Sequence, residues 1–154
     1  VRCTGFYRQK AERLMRVSEY FTGIDMNKDT AVLRQELLSI KGVGDETADS
    51  ILLYALGRPS FVIDAYTRRI CQCNGIEGTY GELQEAFEGS IPEETLLYKE
   101  FHALIVEYGK RYCNKKRCGE CIVRSVRDRT GSGAIYKGKG SRISKSNPVA
   151  IKAK

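Results

Sequence analysis

Ile40-Lys41-Gly42-Val43-Gly44-Asp45-Glu46-Thr47-Ala48, followed by Phe61-Val62-Ile63-Asp64-Ala65-Tyr66, is the stretch around which the chain is organised. Before it, Val32, Leu33, Leu37, Leu38 and Ile40 recur at helical spacing. After it, Ala48, Ile51, Leu52 and Ala55 do the same. Two glycines separated by one apolar residue let the backbone turn sharply and approach a partner closely. The second helix directs its unpaired N–H groups, and the positive end of its dipole, out of that turn. This makes a phosphate site out of backbone. It needs no side-chain cation and is blind to base sequence.

Outward from the turn the helical pattern continues. Phe6 to Phe21 reads as an amphipathic helix with Ala11, Leu14, Met15 and Val17 inward, ended by Gly23. Asp29 or Thr30 caps the helix that runs to Ser39. The second hairpin helix stops near Leu56, before Gly57 and Pro59, and Ser60 to Ile63 is a short extended run. Asp64 opens a helix through Cys71. Thr79-Tyr80-Gly81-Glu82 has capping-box spacing for a helix to Phe87, and Ser90-Ile91-Pro92-Glu93 has the same spacing. A long helix from Glu93 to Tyr112 carries Leu97, Phe101, Leu104, Ile105 and Tyr108 on one face. No strand pair is evident, so the body is expected to be all-α.

At 154 residues with 42% apolar content, the chain can bury one core. No run is long enough to span a bilayer and the first residues do not form a signal peptide. Residues 125–154 hold eight Lys or Arg and one acid, Asp128. Their net +7 is that of the whole chain, so the 18 basic and 18 acidic residues of 1–124 cancel. Nucleic-acid binding therefore rests on the hairpin and not on overall charge. The segment 125–154, rich in Gly, Ser and Lys, reads as a basic disordered tail after a body of residues 1–124. Six cysteines without a signal peptide suggest thiols or a metal site rather than a disulfide framework.

The turn, hairpin 40–48, resembles the helix-hairpin-helix of the endonuclease III superfamily of DNA glycosylases. Gly42-Val43-Gly44 and Thr47-Ala48 match its hairpin. Ile63-Asp64 matches its aspartate segment, with Asp64 18 positions after Glu46, as the family spacing requires. Glu46-Thr47-Ala48-Asp49 and Ile63-Asp64-Ala65-Tyr66 look most like the 3-methyladenine DNA glycosylase III branch. The resemblance covers Gly5 to about Val123. Gly5 to Ala11 is similar to a segment well inside these enzymes, so the family's first helices are expected to be absent and the chain reads as N-terminally truncated.

The resemblance implies a DNA N-glycosylase of base-excision repair, acting on double-stranded DNA as a cytoplasmic, nucleoid-associated monomer with no membrane partner. Asp64 is the implied catalytic residue. A carboxylate close to the sugar stabilises an oxocarbenium-like carbon and orients water. Lys41, Gly42, Val43, Gly44, Glu46 and Thr47 are the implied DNA-binding residues. Bifunctional members carry a nucleophilic lysine where Glu46 stands. A carboxylate cannot form that imine, so a monofunctional enzyme is expected. Cationic alkylated bases, which leave as neutral molecules, are the expected substrate, with Tyr66 as a base-pocket candidate. The alternatives are a non-catalytic, sequence-independent DNA-binding fragment, or a bifunctional glycosylase with lyase activity.

Cys113, Cys118 and Cys121 (cysteine loop 113–121) resemble the family's iron–sulfur loop and imply a [4Fe-4S] cluster. The fourth position falls on Arg127, so the set is incomplete. Cys71 and Cys73 read as core thiols, Cys3 has no matching partner, and His102, Tyr108 and Tyr112 read as packing residues. For the tail, salt titration of duplex binding is expected to give a shallower slope for a chain ending at Arg124 than for the full chain. Equal slopes would show that the tail does not touch DNA.

Overall fold

The computed structural model describes residues 5–123; Cys3, Arg127 and the tail 125–154 lie outside the described residues. Six α-helices account for most of them, and no strand occurs among them. They are α1 (Tyr7–Thr22), α2 (Thr30–Ser39), α3 (Asp45–Ser50), α4 (Ala65–Cys73), α5 (Tyr80–Glu88) and α6 (Thr95–Tyr108). α3 continues unbroken into a π-helical turn, Ile51–Ala55, and α6 into another, Gly109–Cys113. A 3₁₀ turn, Cys118–Glu120, follows. No helix among the described residues is long and apolar enough to cross a membrane.

The core has two parts. Leu33 and Leu37 of α2 meet Val43, Ala48 and Leu52, so the hairpin closes on its own small cluster. The larger cluster gathers Leu53, Phe61, Val62, Ile63, Cys71, Leu83, Tyr98 and Ile105. Phe61 is its hub, stacked on Phe87 with ring centroids 4.6 Å apart and edge-on to Tyr98 at 5.5 Å.

Residues 60–63 are buried and extended, yet no strand runs beside them. Buried backbone groups must nevertheless be paired. α5 supplies side chains in place of a strand. Phe61 N–H donates to Glu88 Oε1 (2.8 Å), Gln84 Nε2 donates to the Phe61 carbonyl (2.8 Å), and Ile63 N–H donates to Tyr80 Oη (3.3 Å). Tyr80, Gln84 and Glu88 are spaced four apart and so share one face of α5. α5 begins with the expected capping box, Thr79 with Glu82.

A second device ties this segment to the hairpin. Asp49, on α3, is fully buried. Arg34 of α2 grips it with two bonds, Nε to Oδ1 at 2.7 Å and Nη2 to Oδ2 at 2.9 Å. Ser60 Oγ donates to Oδ1 at 2.7 Å. One carboxylate thus joins both hairpin helices to the residue four positions before Asp64.

Three expectations need correction. α1 contributes no buried side chain, and Leu14 and Met15 stay 58% and 72% exposed. It meets the hairpin cluster through Val17, one of the expected inward residues, and through Tyr20. The buried face of α6 is Tyr98, His102 and Ile105; Leu104 and Phe101 are exposed. Ser90 does not cap α6: its hydroxyl donates to the Ala86 carbonyl and closes α5. α6 starts later, at Thr95.

Removing Arg34 leaves the buried Asp49 charge without its cation, with the Ser60 hydroxyl still bonded to it. Arg34→Met is expected to cost about 3 kcal/mol of unfolding free energy in urea titration. Adding Asp49→Leu should restore part of it, because the orphaned charge is gone. Additive losses in the double variant would contradict the clamp.

Candidate active site

Asp64 is the N-cap of α4, with extended backbone (φ −85°, ψ −178°). Its Oδ1 accepts from Thr67 N–H at 2.7 Å and from Thr67 Oγ1 at 2.9 Å. Thr67 is itself fully buried, so this anchor does not move with solvent. Burial pushes the Asp64 carboxyl up, but the adjacent His102 imidazole and the hydrogen bonds from Thr67 outweigh it and hold the group below its usual range. Asp64 is therefore ionised at neutral pH.

The other carboxylate oxygen, Oδ2, lies 3.7 Å from His102 Nε2. His102 is buried as the packing expectation had it, but α6 also turns it onto Asp64. Its Nδ1 is 2.6 Å from Tyr54 Oη. Nothing local in the sequence announces this contact, since Tyr54, Asp64 and His102 come from three elements.

At the hairpin, Val43 is buried while Lys41, Gly42, Gly44, Asp45, Glu46 and Thr47 are all exposed. Val43 N–H donates to the Ile40 carbonyl at 2.9 Å and closes the turn. Gly42 has φ +95°, which favours glycine, and a Cβ there would stand 2.7 Å from Arg13 Nε. Gly44 caps α3 with extended backbone, its carbonyl accepting from Thr47 and Ala48 N–H. Asp45 is engaged by Arg34 (2.7 Å), leaving Glu46 exposed in the first turn. Arg16 Nη1 donates to the Lys41 carbonyl at 3.3 Å. Arg13 and Arg16 thus join Lys41 as cations bordering the turn. Sequence reasoning missed both, because α1 delivers them from 25 or more positions away.

Comparison with known proteins finds DNA glycosylase relatives. A protein of Methanocaldococcus jannaschii named as a DNA repair glycosylase is 47% identical over 80% of this chain and 62% of its own length. Endonuclease III of Sulfolobus acidocaldarius is 31% identical over 80% of this chain and 58% of its own. Among solved structures, H. pylori 3-methyladenine DNA glycosylase bound to 1,N6-ethenoadenine aligns with a TM-score of 0.56 and 33% identity. It covers 70% of this chain and 58% of that one. The chain is a homologue of the endonuclease III-type DNA glycosylases. No family model matches it. The chain spans about 60% of the length of these relatives.

The base-pocket candidate Tyr66 and the packing residue Tyr108 both find structural partners. Tyr66 packs its ring against Gly109, where a Cβ would come within 2.3 Å of it, and its hydroxyl accepts from Asn114 Nδ2 at 2.8 Å. Tyr108, stacked on Tyr112 with ring centroids 4.5 Å apart, donates from its hydroxyl to Cys121 Sγ at 3.2 Å. Cys71 is buried as expected, but Cys73 is exposed, because α4 turns it away from the Phe61 cluster.

Among the described residues the cysteine loop supplies three thiols, Cys113, Cys118 and Cys121, one short of a four-thiolate set. Among the described residues, no group of three or more Cys, His, Asp or Glu could hold a metal ion. Burial, with Cys73 and Cys121 nearby, pushes the Cys113 thiol up.

An added Cβ on Gly44 meets nothing within the protein. Gly44→Ala is therefore expected to weaken duplex binding by a similar factor for unrelated sequences without shifting the unfolding midpoint, if a phosphate approaches there. Unchanged affinity would remove the hairpin from the DNA interface. Anaerobically purified protein should contain well under four irons per chain; four irons would show that another ligand completes the set.

Proposed function

We propose that this homologue is a monofunctional DNA N-glycosylase of base-excision repair, removing alkylated purines from double-stranded DNA. The observation that carries this reading is Asp64: ionised, with one oxygen tied to the start of α4, on a segment clamped to an exposed hairpin. Kinship with the 3-methyladenine DNA glycosylase supports the substrate class. On this reading a single copy of the chain works on chromosomal DNA in the cytoplasm, at the nucleoid.

The exposed turn Lys41–Glu46 takes a backbone phosphate on its free N–H groups, with Arg13 and Arg16 adding charge. The damaged nucleotide swings out of the stack. The bond between C1′ and the base nitrogen then breaks, and its electron pair leaves with the base. A cationic alkylated purine departs neutral and needs no added proton. The Asp64 carboxylate stabilises the positive charge growing on C1′. Water adds to C1′ and gives its proton to Asp64, which later returns it to solvent. The products are a free base and an intact abasic strand.

Glu46 separates this from the lyase route. An exposed carboxylate there cannot form an imine with the sugar. Lys41 lies on the entry side of the turn and is read as a phosphate-facing cation.

The expected outcomes are these. Borohydride trapping yields no covalent adduct with DNA, and strands break only after alkali or heat. Asp64→Asn lowers base release at least about a hundredfold while duplex affinity is kept or improved. Because Asp64 is held below the usual carboxylate range, its ionised form persists as pH falls through that range. The acid limb of kcat/KM should therefore lie below the ordinary aspartate range. A borohydride adduct with the unaltered protein would overturn the monofunctional mechanism.

A further inference from the structure

His102 sits where three elements meet: the π-helical turn Ile51–Ala55, the start of α4, and α6. Only 8% of it is exposed. Its Nδ1 is 2.6 Å from Tyr54 Oη, and its Nε2 is 3.7 Å from Asp64 Oδ2. Nε2 is buried without a hydrogen-bond partner. Buried side-chain polar atoms are normally paired, so an orphan beside the one free oxygen of Asp64 needs an explanation.

The tautomer follows from the surroundings. A bare nitrogen lone pair facing a carboxylate is repelled, whereas an N–H is attracted. Nε2 therefore carries the proton and Nδ1 accepts from the Tyr54 hydroxyl. Burial and the Asp64 charge push the Tyr54 phenol above its ordinary value, which keeps its proton available for that bond. The Phe61 ring stands edge-on to the imidazole, with centroids 6.4 Å apart, and completes the wall around it.

Asp64 is thus held asymmetrically. Oδ1 is saturated by Thr67, and Oδ2 faces a single directed N–H. At 3.7 Å that contact is too long for a hydrogen bond. Contacts of this kind commonly tighten when substrate closes the site. We propose that His102, with its tautomer set by Tyr54, is a positioning residue for Asp64. It aims the free oxygen Oδ2 at the sugar carbon. The proposal rests on the glycosylase reading for its function, but its contact can be tested without activity. A role confined to packing would leave Nε2 paired elsewhere or facing apolar groups.

His102 is the only histidine in the 154 residues, so imidazole spectra of the full chain contain one residue's signals. In chain labelled with ¹⁵N-histidine, Nε2 is expected to be protonated and Nδ1 to be an acceptor. Asp64→Asn should shift the Nε2 resonance, and Tyr54→Phe the Nδ1 resonance. A proton on Nδ1, or an Nε2 signal indifferent to Asp64→Asn, overturns the proposal. In single-turnover base release from methylated duplex, His102→Leu should slow the step on the order of 100-fold with duplex affinity unchanged. His102→Gln, which keeps an N–H donor, should retain most of the rate. Equal losses in both variants, or wild-type rate in His102→Leu, also overturn it. If the unaltered protein releases no base, the glycosylase reading fails, and the ¹⁵N spectra alone decide the contact.

Discussion

Everything that positions the site depends on one buried carboxylate, Asp49. It has no exposed surface, and its oxygens take two bonds from Arg34 and one from Ser60. A charge moved out of water is tolerated only when fully paired. Here the pairing is bidentate from a guanidinium and is completed by a hydroxyl. It pins α2, α3 and the extended segment at a single point. The hairpin that would hold a phosphate and the residue that would face a sugar are therefore parts of one rigid unit.

The extended segment solves a second problem. Phe61, Val62 and Ile63 bring apolar surface into the core, but their backbone enters with it. Tyr80, Gln84 and Glu88 of α5 pair that backbone as a neighbouring strand would. Burial pushes the Glu88 carboxyl up while the Phe61 N–H pulls it down. Phe61 then locks the register by stacking on Phe87. Asp64 leaves this clamp as a helix cap, so its geometry is inherited from both sides. An electrostatic catalyst needs a carboxylate that is already in place, because no energy is then spent reorienting it as charge develops.

Local features were legible in the chain itself. Gly42-Val43-Gly44 marks the turn, and the apolar stripes on either side mark its helices. Thr79 with Glu82 marks the start of α5, and Asp64 ahead of a helical run marks a cap. What could not be read is what the fold brings together from afar. Arg34 with Asp49 and Ser60 looks like three ordinary polar residues in sequence. Arg13 and Arg16 look like the solvated face of α1. His102 looks like a packing residue because its partners are 48 and 38 positions away. The buried face of α6 is not legible in the sequence, because Leu104 and Phe101 are apolar enough to suggest burial yet stay exposed. The helix instead turns inward where Gly109 admits the Tyr66 ring. Periodicity locates a stripe, but packing partners choose which stripe is buried.

The central claim is that the hairpin and Asp64 address the same nucleotide. It is tested most directly by a structure of the chain bound to duplex DNA containing a cationic pyrrolidine in place of one deoxyribose, a mimic of the oxocarbenium sugar. The account predicts a phosphate near that position on the N–H groups of the Gly42–Glu46 turn. It also predicts Asp64 Oδ2 within hydrogen-bond distance of the pyrrolidine nitrogen, with His102 Nε2 closed onto the same carboxylate. A duplex bound away from the turn, or a pyrrolidine facing any carboxylate other than Asp64, would contradict it.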